Sequence, residues 1–228
     1  MNLQEMNIED IKNALLGTIF ADGSIGKVRT DGSRNGTNGG LEITHTSKNL
    51  DYLKLIKSLL ERIDGIRVRI SEHNKKTELK IYTLYRLYTN RHIWFTKLRK
   101  DIYDSNRVKL FPKEYIDRFN ILSLLFLYLD DGTLRVRMYE GTSKVREVRI
   151  TFCLDSFTLE ELNYFRTYLK NKYDIDSHIY RHSKMKDLNR GFRVWFNTLN
   201  TNKFMNLINQ YYDLVPSMQY KFTKYYSL

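Results

Sequence analysis

Two aspartates stand where a helix disfavours them. Residues 15–23, LLGTIFADG, and 124–132, LLFLYLDDG, each read as an apolar helix ending in Asp-Gly. Glycine just past a helix end is a common C-cap. A carboxylate there faces the negative end of the helix dipole, at a cost of a few tenths to about 1 kcal/mol. A bound divalent cation would offset that cost, and such an ion takes hard oxygen ligands. If the two apolar helices pack side by side, Asp22 and Asp131 meet. Paired carboxylates holding metal beside a polyanion are the parts of a phosphodiester hydrolysis. The metal polarises the phosphoryl oxygen, generates hydroxide and stabilises the leaving oxygen.

The elements that must position these residues follow from periodicity. Apolar residues predict a helix over 8–21, strands over 24–30 and 41–46, a helix over 48–62, strands over 66–72 and 78–84, and a helix over 89–103. The order recurs as a helix over 118–130, strands over 133–139 and 146–153, a helix over 158–172, strands over 176–183 and 190–196, and a helix over 200–212. Asp22-Gly23 and Asp131-Gly132 are 109 residues apart, as are Ile66 and Ile175. Ile43-Thr44 and Ile150-Thr151 are 107 apart, and Lys109 and Lys221 are 112 apart. Offsets this similar describe a duplication. Residues 1–103 form the first half, 104–117 a connector and 118–228 the second half. The glycine-rich stretch 31–40 reads as a turn between two strands, since no Gly-Lys-Ser/Thr follows it.

The chain of 228 residues carries 38 Lys and Arg against 26 Asp and Glu, a net charge of +12. That excess implies a polyanionic partner, most simply nucleic acid. The predicted strands agree, because each alternates a buried face with a wet, basic one. Arg135, Arg137 and Tyr139 alternate with Leu134, Val136 and Met138; Arg67 and Arg69 alternate with Ile66, Val68 and Ile70. Lys80 and Tyr82 alternate with Leu79 and Ile81, and Arg149 alternates with Val148 and Ile150. Lys27, Arg29, Arg34, Lys75, His182, Lys184, Arg190 and Arg193 complete the candidate DNA-binding set. Lysine and arginine neutralise phosphates, and arginine also reaches guanine edges.

Other classes fall away. The longest apolar run, 121–129, is far short of the roughly 20 residues a membrane helix needs. The N-terminus has no basic and apolar leader pattern. The single Cys153 forms no internal disulfide, so a reducing compartment is expected. Composition fits an AT-rich gene, as in an organelle, phage or bacterial mobile element. His178 and His182 lie about 13 Å apart on one predicted strand, too far for a shared ion. His45, His73 and His92 show no ligand partner in the sequence. Thr158 with Glu161 reads as a capping box.

LLGTIFADG resembles the LAGLIDADG motif at Leu15, Gly17, Ile19, Ala21, Asp22 and Gly23; LLFLYLDDG matches it at Leu124, Leu127, Asp131 and Gly132. The chain resembles a single-chain, two-motif LAGLIDADG homing endonuclease, in the subgroup whose second motif ends in DDG. The resemblance implies an α+β fold of two pseudo-symmetric αββαββα halves. Each would carry a four-stranded, mainly antiparallel sheet, the two forming a DNA-binding saddle with helices on the other face. It implies that Asp22 and Asp131 bind metal, with Ala21 and Asp130 beside them at matching motif positions. It implies catalytic roles for Lys109, in KLFP, and Lys221, in VPSMQYKF. It further implies two or three Mg2+ ions with Mn2+ substituting, a monomer, double-stranded DNA as partner and no membrane. The expected product is a double-strand break with 3′ overhangs at a site of about 20 bp, supporting intron or intein mobility. An RNA maturase that assists intron splicing and a non-cleaving DNA-binding protein are the alternatives on the same fold. Phe126 stands where the motif has a glycine, which makes the helix contact asymmetric.

Overall fold

The first apolar stretch forms α1 (Ile8–Phe20) in the computed structural model, which describes residues 3–26, 39–76, 81–182 and 188–222. Asn7 starts this helix, its side chain accepting from the Asp10 amide at 2.8 Å. Then follow β1 (Ser24–Ile25), β2 (Leu41–Thr46), α2 (Leu50–Leu60), β3 (Val68–Lys76), β4 (Ile81–Thr89) and α3 (Ile93–Ile102). A short α4 (Lys113–Ile116) lies in the connector, where sequence periodicity predicts no helix. The second half runs α5 (Ile121–Asp131), β5 (Gly132–Met138), β6 (Val145–Phe152), α6 (Leu159–Tyr173), β7 (His178–Arg181), β8 (Phe192–Phe196) and α7 (Thr198–Ile208).

The two sheets share one topology, β1-β2-β4-β3 and β5-β6-β8-β7, with every described pair antiparallel. The fold is α+β, and its halves are pseudo-symmetric as the repeat implies. Leu41, Ile43 and Leu87 lie buried on the helix side of the first sheet; Val148, Ile150, Phe152 and Val194 do so in the second. One continuous core serves both halves. Phe111 of the connector is fully buried, with ring centroids 4.8 Å from Phe20 and 4.7 Å from Phe157. The Thr158–Glu161 capping box forms, and the Glu161 carboxylate also accepts the Phe111 amide at 2.7 Å. One side chain therefore starts α6 and holds the connector on it.

α1 and α5 lie against each other along their small residues. A Cβ on Gly17 would overlap the Ser123 carbonyl oxygen of α5, so only glycine allows this approach. Ser123 donates across the seam to the Asn13 carbonyl at 2.7 Å. Phe126, the counterpart of Gly17, packs against Tyr52 of α2, with centroids 6.0 Å apart. The contact is asymmetric.

Two expectations need correction, and a third gains detail. β3 (Val68–Lys76) and β4 (Ile81–Thr89) end at Lys76 and Thr89, past the predicted ends at 72 and 84. From Glu72 to Lys76 every residue of β3 is exposed, and polar cross-strand pairs tie it to β4: Tyr85 donates to Glu72 at 3.0 Å and Thr83 to Asn74 at 3.1 Å. Met138 is 47% exposed where alternation predicts burial, because the β5–β6 register slips between Arg137 and Met138. The Asp-Gly glycines do close their helices, the Gly132 amide donating to the Tyr128 carbonyl and the Gly23 amide to the Thr18 carbonyl at 2.7 Å, although Gly132 is extended, with φ −83° and ψ 146°. They are there for room. A Cβ on Gly23 would come within 2.8 Å of the Ile19 Cα, and one on Gly132 would overlap the Tyr128 ring.

Candidate active site

Side-by-side packing of α1 and α5 brings their C-terminal ends together between the sheets. α1 stops at Phe20, leaving Ala21 and Asp22 outside the helix, whereas α5 continues through Asp131. Successive helical side chains point about 100° apart. Asp130 and Asp131 therefore diverge. The Asp130 side chain is fully buried and crosses into the first half, accepting a hydrogen bond from the Tyr52 hydroxyl at 3.2 Å. His45 of β2 stands between the two motifs, its Nε2 3.4 Å from Asp130 Oδ1 and 3.7 Å from Asp22 Oδ2.

These three groups are a possible cation site. One atom from each of Asp22, His45 and Asp130 lies within 4.8 Å of the others. An ion with bonds of about 2.1–2.5 Å spans roughly 4–5 Å between opposite ligands, so the set matches in size. His45 Nε2 and Asp130 Oδ1 are buried without a hydrogen bond of good geometry, and an unpaired buried acceptor is costly. Donor chemistry and orphaned atoms both fit a divalent cation. Asp131 lies outside that cluster, yet the charges of Asp22 and Asp130 reach it.

Electrostatics mark the same place. Burial, followed by the charges of Asp22 and Asp130, pushes the Asp131 carboxyl up to about 7. Burial and Asp130 also raise Asp22, whose side chain is 43% exposed. Burial alone would lower His45, but contact with Asp130, backed by Asp22, outweighs it and raises the imidazole. Burial and the mutual repulsion of the carboxylates thus outweigh the pull of Lys109 and Lys221 on Asp22 and Asp131. That is the electrostatic condition a bound cation relieves.

The two lysines sit behind the carboxylates in matching roles. Lys109 Nζ donates to the carbonyls of Ile19 at 2.9 Å, Ala21 at 3.0 Å and Gly23 at 2.7 Å. Lys221 Nζ donates to the carbonyls of Tyr128 at 3.3 Å, Asp130 at 3.4 Å and Gly132 at 2.8 Å. Ile19 and Tyr128, Ala21 and Asp130, and Gly23 and Gly132 are each 109 residues apart. Each ammonium thus caps a motif helix and supplies positive charge at its negative end. Part of the dipole cost that the sequence assigns to a metal ion is met by lysine. Burial lowers Lys109 to about 8, with Asp131 and Asp22 pulling it back up. Burial lowers Lys221 as well.

Candidate DNA-binding residues divide by placement. Arg67, Arg69, Lys75, Arg135, Arg137, Tyr139 and His182 are exposed; Tyr82 is 46% exposed. Register sets Arg69 opposite Tyr88, Lys75 opposite Tyr82 and Arg135 opposite Arg149, on the sheet faces away from the helices. Arg193 is half-buried in an ion pair with Asp155 at 3.0 Å, and Arg190 donates to the Ser156 carbonyl. Lys27, Arg29, Arg34, Lys80 and Lys184 lie outside the described residues.

Sequence reasoning found no ligand partner for His45, whereas the structure sets it between Asp22 and Asp130. Its signal was the alternation Leu41, Ile43, His45, which extends a buried strand face to a polar residue. It also passed over Tyr52, whose hydroxyl donates to Asp130. Among the described residues no helix is long and apolar enough to cross a membrane.

Comparison with known proteins agrees with the geometry. A profile described as the LAGLIDADG DNA endonuclease family matches residues 12–204. Similar curated proteins include Protein RecA of Mycobacterium shimoidei, 29% identical over 210 residues, covering 91% of this chain and 45% of that protein. Protein RecA of Mycobacterium leprae is 28% identical over 214 residues, covering 91% of this chain and 27% of that protein. The chain spans less than half the length of these relatives. Among solved structures, the homing endonuclease I-WcaI bound to its DNA recognition sequence superposes with a TM-score of 0.72 at 19% identity, covering 96% of this chain and 88% of that one. I-DmoI in complex with its target DNA gives a TM-score of 0.53 at 21% identity, covering 89% of this chain and 97% of that one. At these identities the likeness is one of fold.

Proposed function

The chain belongs to the LAGLIDADG DNA endonuclease family, and from that premise we propose a monomer that cuts both strands of a long, asymmetric duplex site using divalent cations. The observation that carries the reading is the cluster of Asp22, Asp130 and His45 at the joint ends of α1 and α5, with Asp131 within reach of both aspartate charges. Two unlike halves in one chain favour an asymmetric target. The family resemblance suggests about 20 bp, cut to leave 3′ overhangs. Mobility of a host intron or intein would follow from such cleavage. The fraction of the RecA relatives that this chain spans suits an endonuclease carried within a larger host protein.

Asp22 and Asp131, with Asp130, His45 and the Ala21 carbonyl near them, would hold Mg2+ or Mn2+. A bound ion supplies polarisation of the phosphoryl oxygen and a water acidic enough to attack. The protein's own groups do the rest. The fixed helix ends set the carboxylates at one spacing, so their charges are organised before DNA arrives. Lys109 and Lys221 hold those ends and add positive potential facing the scissile phosphates. The three Lys109 protons are shared among carbonyls, so a direct phosphate contact would require one of those bonds to be given up. The basic sheet faces bind the duplex on either side and exclude unproductive registers.

Selection of cleaved sites from a randomised duplex library with Mg2+ tests the proposal. The expected outcome is one enriched asymmetric site, cut on both strands. Full cleavage by the Asp22→Asn/Asp131→Asn double variant would overturn the mechanism. Tight binding without nicking in Mg2+ or Mn2+ would identify a non-cleaving DNA-binding protein instead.

A further inference from the structure

We propose that Glu147 is a specificity-determining residue: it fixes Arg149 as a rigid reader of one guanine in the major groove. The inference deepens the DNA-endonuclease reading and rests on it. Glu147, Arg149 and Thr151 alternate with the buried Val148, Ile150 and Phe152 along β6. They therefore share the sheet face turned away from the helices. Glu147 Oε1 forms an ion pair with the Arg149 guanidinium, and Glu147 Oε2 lies 3.5 Å from Arg137 Nη1. The Arg149 guanidinium carbon sits 4.0 Å from the centre of the Trp195 ring. His178 stacks on the same indole, with centroids 4.5 Å apart and planes at 26°. Carboxylate, guanidinium, indole and imidazole make one assembly across β6, β8 and β7.

A carboxylate on a surface that meets phosphate weakens binding by repulsion. Its presence makes physical sense if it restricts what the arginines can do. A loose arginine finds any phosphate, which adds affinity without sequence information. One held by a carboxylate and an aromatic face has lost that freedom before binding, so little ordering cost remains. Glu147 engages Nη2 of Arg149 and Nε is buried, so the outer Nη1–Nη2 edge is the one left for the bidentate contact with guanine O6 and N7. Glu147 adds discrimination in a second way, since a wrong base leaves it facing the duplex with no compensating contact.

The position can be estimated. Arg135, the cross-strand partner of Arg149, stands four residues along β5 from Asp131. That is roughly 13 Å at about 3.3 Å per residue, or about four base pairs at 3.4 Å each.

The test is duplex selection by binding alone, without divalent cation, on the parent, Glu147→Gln and Arg149→Lys. The parent should enrich guanine at a base pair about four from the centre of the site, on the second half's side. Both variants should lose at least tenfold of that preference there and keep the rest of the profile. Glu147→Gln should also bind unrelated DNA several-fold more tightly at low salt, whereas Arg149→Lys, which keeps the charge, should not. A Glu147→Gln profile identical to the parent's would overturn the inference even if Arg149→Lys lost the guanine. A parent with no base preference anywhere would overturn the endonuclease reading and this one with it.

Discussion

Asp22 and Asp131 occupy equivalent places in the two motifs but different environments. Asp22 is partly open and lies near His45; Asp131 is the last residue of its helix and is pushed by burial up to about 7. Asp22→Asn or Asp131→Asn is expected to lower cleavage by at least a hundredfold while leaving duplex affinity within about threefold, a loss of about 3 kcal/mol or more from the transition state alone. Gel assays of nicking and binding on one duplex check this. The carboxyl group also makes stability depend on pH. Unfolded, it ionises near 3.8; folded, near 7. The folded state therefore holds the proton more tightly, and this group's contribution is most favourable below about pH 4 and declines as pH rises to about 7. In chelator, Asp131→Asn should melt above the parent at pH 7.5 by more than about 2 °C, with the gap closed at pH 4. A gap that is the same at both pH values counts against the burial argument. His45→Ala removes a neighbour of two carboxylates. In the absence of DNA it should weaken Mn2+ binding, measured calorimetrically, by about threefold or more. Unchanged affinity would place His45 outside the metal site.

At the scale of elements, the pairing of α1 with α5 sets the spacing of the site. Gly17→Val would drive a branched side chain into the Ser123 carbonyl. The expected cost is about 1–3 kcal/mol, read as a melting temperature lowered by roughly 2–4 °C per kcal/mol. The lysine caps make a separate prediction. Lys109→Met leaves several carbonyls at the end of α1 without their donor. Buried carbonyls without partners are costly. The variant should therefore melt below the parent even without DNA or metal. If it lost cleavage yet melted like the parent, Lys109 would act on the phosphate alone. Helix and strand order was legible in apolar spacing because each element has one face on the shared core. Ends were less legible. The extension of β3 to Lys76 is exposed and held by polar pairs such as Asn74 with Thr83, which leave no apolar alternation to read.

At the scale of the whole molecule, a net charge of +12 is set against a polyanion. If six to ten phosphates are neutralised, affinity should fall by about 10³–10⁵ between 50 and 200 mM salt. A flat salt dependence would remove the basic sheets from the binding account. The offsets of 107, 109 and 112 residues between matching landmarks were enough to foresee two like halves. The Asp-Gly endings were enough to foresee carboxylates gathered at helix ends, because dipole and carboxylate are both local properties of the chain. Tertiary packing decided the rest. Only the crossing of α1 and α5 brings His45 and Tyr52 of one half to Asp130 of the other, since no sequence period connects residues about 80 apart. Only the fold turns Lys109 and Lys221 into caps, because their carbonyl partners lie 86 to 93 residues away. Only strand register places Glu147 beside Arg137 and Trp195 near Arg149, as neighbours across a sheet are set by pairing and not by proximity along the chain.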